Sequence, residues 1–302
     1  MSDASDPGDS SEAPRAGFVA LLGPPNAGKS SLLNAVLGHR LAIVTSKPQT
    51  TRSRILGILP RGNAQLLFFD TPGRHNSPKK LNEALNSVVD DVARDCDVAL
   101  LLVDRCVGWT EVHDELRASL EAAGKPTLIV GSKSDIPRAQ ASDWPIAEVP
   151  AALPAFAISS TTGEGVEALL DATAAALPIS PPLYGEDEIT DRPMRWLCAE
   201  LIRESVFEML SKELPYSMAV EVLTFEESNP KIVKIRANLL VERDSQKRIV
   251  VGKGGAMIKK IGIRSRKSIE AWVERQVHLE LFVKVDPTWL KSRGRIEELG
   301  YH

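Results

Sequence analysis

Cysteine is scarce: the 302 residues hold three, Cys96, Cys106 and Cys198. An odd, widely spaced trio gives neither a disulfide framework nor the close pairing of a thiolate metal site, so a reduced, cytoplasmic setting is expected. Long apolar runs are missing too. No stretch approaches the roughly 20 residues that cross a bilayer. The opening "MSDASDPGDSSEAPRAG" lacks the apolar centre of a secretory leader; residues 1–15 read as a disordered acidic tail. Peripheral contact with the inner membrane surface is left open. With no internal repeat and no heptad pattern, a monomer is the expectation.

Net charge is small as well, −3 overall, but unevenly spread. Residues 1–182 hold 16 Lys/Arg against 21 Asp/Glu, and residues 183–302 hold 21 against 19. Within the second part, Arg243 to Lys267 carries nine basic residues and one acid, Asp244. Such a run is ordinarily a solvated face. This one is interrupted by glycines, which makes it a candidate binding surface.

What is present describes a globular chain, 43% hydrophobic and 25% charged, long enough for two domains. Up to residue 177, apolar strands ("GFVALLG", "QLLFFD", "VALLLVD", "PTLIVGS", "PAFAIS") alternate with helices after Gly28, from Lys80, from Thr110 and from Glu164. Strands apolar on both faces imply a doubly wound, mostly parallel α/β sheet over residues 16–177. "SRILGILP" reads as an added antiparallel edge strand. "LPISPPLYGEDEITDRP" marks a linker, residues 178–193. Residues 194–302 read as a smaller α+β domain: helix Met194–Leu210, strands Met218–Glu226 and Ile232–Val241, helices Ala256–Ile261 and Arg264–Gln276, strand His278–Val285, and a last helical piece.

Chemistry begins at "LLGPPNAGKSS", which fits G-x-x-x-x-G-K-[ST] between the first strand and the first helix. The loop Gly23-Pro24-Pro25-Asn26-Ala27-Gly28-Lys29-Ser30-Ser31 is a phosphate cradle, because glycines let backbone N–H groups point inward and the helix start adds partial positive charge. Lys29 is expected on the β- and γ-phosphates and Ser30 on Mg²⁺. Next comes "FFDTPG", Asp70-Thr71-Pro72-Gly73. Asp70 would hold Mg²⁺ through water, and the Gly73 N–H would meet a γ-phosphate. Between them, Thr51 in "KPQTTRSR" would complete the Mg²⁺ shell and order its loop as a switch. Thr51, Asp70 and Gly73 are the candidate catalytic residues.

"GSKSD" comes after the fifth strand, where a guanine-reading loop belongs. Its usual form is Asn-Lys-x-Asp; here it is Ser132-Lys133-Ser134-Asp135. The Asp135 carboxylate matches guanine's N1–H and amino group, two donors adenine does not present together, and the Lys133 stem can lie across the purine. Ser132, shorter than asparagine, can make only part of the bridge to the phosphate loop, so guanine preference with reduced affinity is expected. The backbone of Ser159–Ser160 in "ISSTTGEGV" would close over the base.

In the second domain "RIVVGKGGAMIKKIG" carries G-x-x-G at Gly252-Lys253-Gly254-Gly255, read as lying between a strand and a helix. Lys247, Arg248, Lys259, Lys260, Arg264, Arg266 and Lys267 flank it, with Ile249, Val250, Val251 and Ile258 as candidate apolar groove. Small residues admit a single-stranded backbone, the helix start receives phosphate, and the groove holds unstacked bases. The element order resembles a type II KH domain. Trp289 is read as packing rather than base stacking.

Taken together, "GPPNAGKS", "PQTTR", "DTPG", the altered "SKSD" and "ISSTTGEGV" resemble the Era-like GTPase family, of the translation-factor-related class, over nearly the whole chain after the tail. The resemblance implies slow GTP hydrolysis to GDP with Mg²⁺, binding of the 3′ end of small-subunit ribosomal RNA, and a part in assembly of the small ribosomal subunit. It departs at Arg74, where the family usually has an apolar residue and many GTPases a glutamine; Arg74 is read as a solvated switch arginine. Asn26 raises K⁺ beside the phosphates, as in relatives with asparagine there. A rival reading is an RNA-binding module with an inactive nucleotide domain; an ATPase would require Asp135 to be idle.

Overall fold

The structure, a computed structural model, describes residues 13–45, 47, 54–74, 80–211, 214–289 and 293–299. Thr51 lies outside the described residues. The first sheet holds β1 (Arg15–Leu22), β2 (Ile55–Arg61), β3 (Ala64–Asp70), β4 (Val98–Asp104), β5 (Thr127–Ser132) and β6 (Ala155–Ala157), in the order β2-β3-β1-β4-β5-β6. Only β2 runs antiparallel, paired with β3 at the edge. Among the described residues its helices are α1 (Lys29–Leu37), α2 (Lys80–Asp95), α3 (Glu111–Ala122), the four-residue α4 (Pro137–Gln140) and α5 (Val166–Ala176).

Period-two alternation divides the strands between two cores. Leu21, Phe68, Leu100 and Leu102 face α1 and α5, and Leu22, Phe69, Leu101 and Val103 face α2 and α3. All seven residues of β4 are buried, as a strand covered on both faces requires. Register then decides where polar residues emerge. Leu21 pairs with Asp70, and Asp104 with Ser132, so the carboxyl ends of β1, β3, β4 and β5 align along one edge. Ligands of such sheets bind there.

The proline-rich stretch 178–193 lies along the β2–β3 side. Ile58 N–H donates to Ile189 O (2.8 Å). Buried Gln65, the one polar side chain inside β3 before Asp70, takes the N–H groups of Leu183 (2.7 Å) and Tyr184 (3.0 Å) on Oε1 and gives Nε2 to Tyr184 O (2.9 Å). Covering the outer strand in this way removes an open edge.

The second sheet is β7 (Ala219–Glu226), β8 (Ile232–Val241) and β9 (Gln276–Val285), antiparallel then parallel. Around it lie α6 (Met194–Met209), α7 (Asp244–Val251), α8 (Ala256–Val273) and α9 (Arg293–Glu298). Two expectations fail here. "RIVV" belongs to a helix, α7, so the glycine loop joins two helices rather than a strand and a helix. The two helices expected after it are one, because Ile261, Ser265 and Ile269 form a single buried stripe at four-residue spacing across Gly262. Trp289 is 1% exposed and packs on Ala219 and Leu240, so it cannot stack a base from solvent. Truncating it to alanine would cost about 3–5 kcal/mol.

Candidate nucleotide site and nucleic-acid interface

The glycine loop leaves β1 at Gly23 with φ +143°, turns through Asn26 in the left-handed region (φ +61°), and enters α1 from Gly28 (φ +95°). A Cβ at Gly23 would stand 2.6 Å from Leu102 O, so the loop backbone lies directly on β4. Lys29 Nζ folds over the loop, donating to Gly23 O (3.0 Å) and Pro24 O (2.8 Å). Burial pushes this ammonium down to about 8, with the Asp70 carboxylate pulling the other way. Ser30 Oγ donates to Asp70 Oδ2 at 2.6 Å. Two oxygen donors, one an entirely buried carboxylate, thus converge beside the start of α1.

Thr71 turns its hydroxyl inward, to Leu21 O (2.8 Å), leaving only its backbone toward the loop. Gly73 is pressed on the glycine loop: a Cβ there would sit 2.5 Å from Pro25 N. Arg74 N–H donates to Gly23 O (3.3 Å). The Arg74 guanidinium is not solvated as expected. It pairs with Asp90 on α2 and with Glu115 on α3 (3.2 Å), both outside the phosphate loop.

At the other end of the cleft, Ser132 is buried and bridges after all. Its Oγ lies 2.8 Å from Ala27 O and 3.2 Å from Val103 O, tying β5 to the phosphate loop. Lys133 stands in the left-handed region (φ +63°), with Nζ 2.6 Å from Asp104 Oδ2. Ser134 is buried and donates its N–H to Ile158 O (3.0 Å). Asp135 Oδ1 accepts from Ser159 Oγ (2.7 Å), and the same oxygen of Ser159 accepts the N–H groups of Thr161 (3.2 Å) and Thr162 (3.1 Å). The motif alone implied a role only for the backbone of Ser159; its side chain holds one oxygen of the Asp135 carboxylate. Ser160 is half-buried beside it.

Behind the loop sits His113, which the sequence did not single out. Nδ1 accepts from Thr110 N–H (2.9 Å), so Nε2 carries the proton and donates to Leu102 O (3.1 Å). Desolvation holds its pKa below the usual histidine value.

In the second half, Lys247, Arg248, Lys253, Lys259 and Lys260 are all exposed around the glycine loop. Gly252 has φ +73°, and a Cβ there would meet Met257 at 2.8 Å. Gly254 (φ +59°) and Gly255 (φ +79°) have open space around them and lead into α8. Beside them runs a groove of about 290 Å³ between α8 and β9, lined by Ile258, Lys259, Gly262, Ile263, Arg266, Leu279 and Leu281. Of the four expected groove residues only Ile258 lines it. Val250 is core, Val251 is half-buried against that core, and Ile249 is exposed. Ile263 was missed because the helix was broken at Gly262, which hid its shared face with Ile258 and with Arg266, expected only as a flanking basic residue.

The two halves meet at the segment after α1. Glu204 on α6, buried, accepts from Arg40 Nη2 (2.8 Å) and Val44 N–H (3.4 Å). Lys47 Nζ caps the carbonyls of Phe207 and Leu210 at the end of α6. Trp272 on α8 donates Nε1–H to Arg40 O (3.1 Å).

A strand–glycine loop–helix with a buried carboxylate opposite, joined to a glycine-loop helix pair on a three-stranded sheet, defines a P-loop GTPase fused to a KH domain. The chain matches the family models "50S ribosome-binding GTPase" over residues 18–133 and "KH domain" over residues 213–290. It is 42% identical to GTPase Era of Geobacter metallireducens over 297 residues, covering 95% of this chain and 98% of that one, and 40% identical to GTPase Era of Geotalea uraniireducens over 290 residues with the same coverage. Among solved structures it is similar to Era in complex with MgGDPNP and nucleotides 1506–1542 of 16S ribosomal RNA, at 33% identity and TM-score 0.84, over 95% of this chain and 99% of that one. The chain belongs to the GTPase Era family.

Proposed function

We propose that this chain is a GTP-hydrolysing switch whose nucleotide module (residues 16–177) is strapped by residues 178–193 to an RNA-binding module (residues 194–302). The observation that carries the reading is the convergence, on one sheet edge, of Lys29, Ser30 and Asp70 at one end and of Asp135, braced by Ser159, at the other. Backbone N–H groups of Gly23 to Ser31 cradle the phosphates. Lys29 leaves its carbonyls for the β- and γ-oxygens, which stabilise the charge that burial disfavours. Asp135 reads N1–H and the exocyclic amine of guanine, and the Lys133 stem covers the ring. An all-oxygen pair, Ser30 Oγ and the Asp70 carboxylate, fits Mg²⁺, a hard cation. Ser30, Asp70 through water and Thr51 would hold it together with nucleotide oxygens. When bound, Mg²⁺ supplies positive charge to the phosphate oxygens. K⁺ beside Asn26 would add to it; equal turnover in Na⁺ and K⁺ would dispose of that part.

Hydrolysis proceeds by in-line attack of water on the γ-phosphate, positioned by the backbone of Gly73 and, in the ordered switch, Thr51. Arg74 is engaged by Asp90 and Glu115 and so is not free to stabilise charge on the phosphates as an arginine finger would. Slow intrinsic turnover is the consequence.

The RNA module offers the Gly252–Gly255 loop and the α8 start to a phosphate backbone, with the groove beside Ile258 for splayed bases. Its ligand is the 3′ end of small-subunit ribosomal RNA, in the cytoplasm, during assembly of the small subunit. Grip on Arg40, Val44 and Lys47, just before the switch, links nucleotide state to RNA binding and release. Phosphate release from GTP, with and without a short single-stranded fragment of that RNA end, tests the reading. Turnover above background that changes with the fragment supports it; no GTP-dependent release in either case leaves only an RNA-binding module.

A further inference from the structure

The base-reading loop is held by a residue outside it. Asp104 ends β4, paired in register with Ser132 at the end of β5. Its carboxylate works in two directions: Oδ1 accepts Cys106 N–H (2.9 Å), which locks its rotamer, and Oδ2 takes Lys133 Nζ (2.6 Å). The Asp104 side chain is 12% exposed and that of Lys133 32%, so the anchor is fixed and the lysine comes to it. Lys133 needs anchoring because its φ of +63° is a region that L-residues with a Cβ avoid. The next residue along, Arg105, braces the far side. Its Nη1 donates to Ser134 Oγ (3.2 Å), and its Nη2 donates to Ala139 O (2.8 Å) and Ser142 O (2.9 Å). Arg105 therefore fixes Ser134 and the α4 turn beyond it, and Asp104 fixes Lys133 itself. Asp135 follows these two braced residues in the chain, so they set its backbone, while Ser159 Oγ (2.7 Å) holds its carboxylate.

We propose that Asp104 is a positioning residue for guanine recognition: by holding Lys133 in its left-handed turn, it aims Asp135 at the base. The inference rests on the reading of Asp135 as the base-recognising carboxylate. It has a consequence that general loss of structure lacks. Inosine nucleotides keep the ring and N1–H of guanine but lack the 2-amino group that only a correctly aimed Asp135 can use. Misaiming Asp135 must therefore erode the preference for GDP over IDP, whereas a smaller folded fraction weakens both alike.

The test is calorimetric titration of the full chain with GDP and with IDP, both with Mg²⁺, for the parent protein, Asp104→Asn, Lys133→Met and the double variant. Methionine keeps an apolar stem for the ring and removes only the ammonium. The parent is expected to prefer GDP by about thirtyfold, the range of one hydrogen bond to a charged group. Asp104→Asn and Lys133→Met should each cut that preference to about fivefold or less, and the double variant should go no further. An unchanged GDP-to-IDP ratio in Asp104→Asn, or losses that add in the double variant, would overturn the positioning role. A parent protein that binds GDP and IDP equally would instead overturn the base-reading assignment beneath it. Should Asp104→Asn fail to fold, Lys133→Met alone decides, since it removes the same pair from its exposed side.

Discussion

The nucleotide end and the RNA end of this molecule solve anion binding in opposite ways. At the first, Lys29, Asp70, Ser132, Ser134 and Ser159 are all buried, each already bonded to a neighbour. At the second, five cations stand exposed on flexible stems around a loop in which Gly254 and Gly255 have open space. A small, charge-dense ligand recognised atom by atom needs fixed donors, whose own desolvation must be compensated in advance. A long flexible polyanion needs only positive charge and backbone clearance, and its contacts add up one phosphate at a time. Substitutions should therefore act abruptly at one end and gradually at the other.

The sharpest contrast is expected from Gly23→Ala, where a methyl would stand 2.6 Å from Leu102 O at a backbone angle of +143°. GDP affinity should fall at least about 100-fold, or ~2.8 kcal/mol, by titration. RNA affinity without nucleotide should move less than about twofold; an equal loss of both would mean the ends are not separable. Second in size, reversing two charges with Lys253→Glu and Lys259→Glu should weaken a single-stranded RNA about 10- to 30-fold. The slope of log affinity against log salt should become shallower by about 1.4, near 0.7 per lost phosphate contact, while GDP binding stays as it was.

Protons separate the ends next. Lys29 sits near 8 when phosphate is away, and phosphate oxygens favour its charged form, so binding takes up a proton above that value. GDP affinity should fall as pH rises, by about tenfold between pH 7 and 9 if the bound lysine stays charged, with RNA affinity nearly flat over that window. His113 acts on the acid side: its folded pKa is depressed, so its contribution to stability is whole above the ordinary value of 6.5 and is lost as pH falls below it.

Smaller effects probe the joint. Burial raises the Glu204 pKa, with Arg40 and the Val44 N–H opposing, so its pairing with the segment before the switch works against a desolvation cost. Glu204→Gln keeps the shape and loses the charge. It should bring the RNA affinities measured with GTP analogue and with GDP closer together by about three- to fivefold, without altering GDP binding itself. The least is Ser132→Asn, which restores a longer bridge and should tighten GDP by about threefold; no gain would mean that the hydroxyl already makes the whole connection to Ala27 O.

The same contrast explains what could be read from the chain. Gly23, Gly28, Lys29, Ser30, Asp70 and Gly73 were legible because backbone clearance and phosphate geometry leave few alternatives at those positions. Helix α7 was not: "RIVV" has the β-branched look of a strand. Its N-cap is Arg243, a residue without a capping preference, with Gln246 Oε1 taking the Arg243 N–H (3.1 Å) in compensation. Isoleucines flanking Gly262 made one helix look like two. Partners distant in sequence were invisible as well. Gln65 reads as an oddity in an apolar strand until the strap at Leu183 and Tyr184 lies beside it, and Arg74 reads as solvated until α2 and α3 bring Asp90 and Glu115 to it.

Direct competition of GTP and ATP for the full chain, with Mg²⁺ and followed by calorimetry, tests the account at its centre. GTP should bind at least about 100-fold more tightly, and Asp135→Ala should erase the difference. Equal affinity for the two nucleotides in the parent protein would contradict the account, because the carboxylate at position 135 would then be reading nothing.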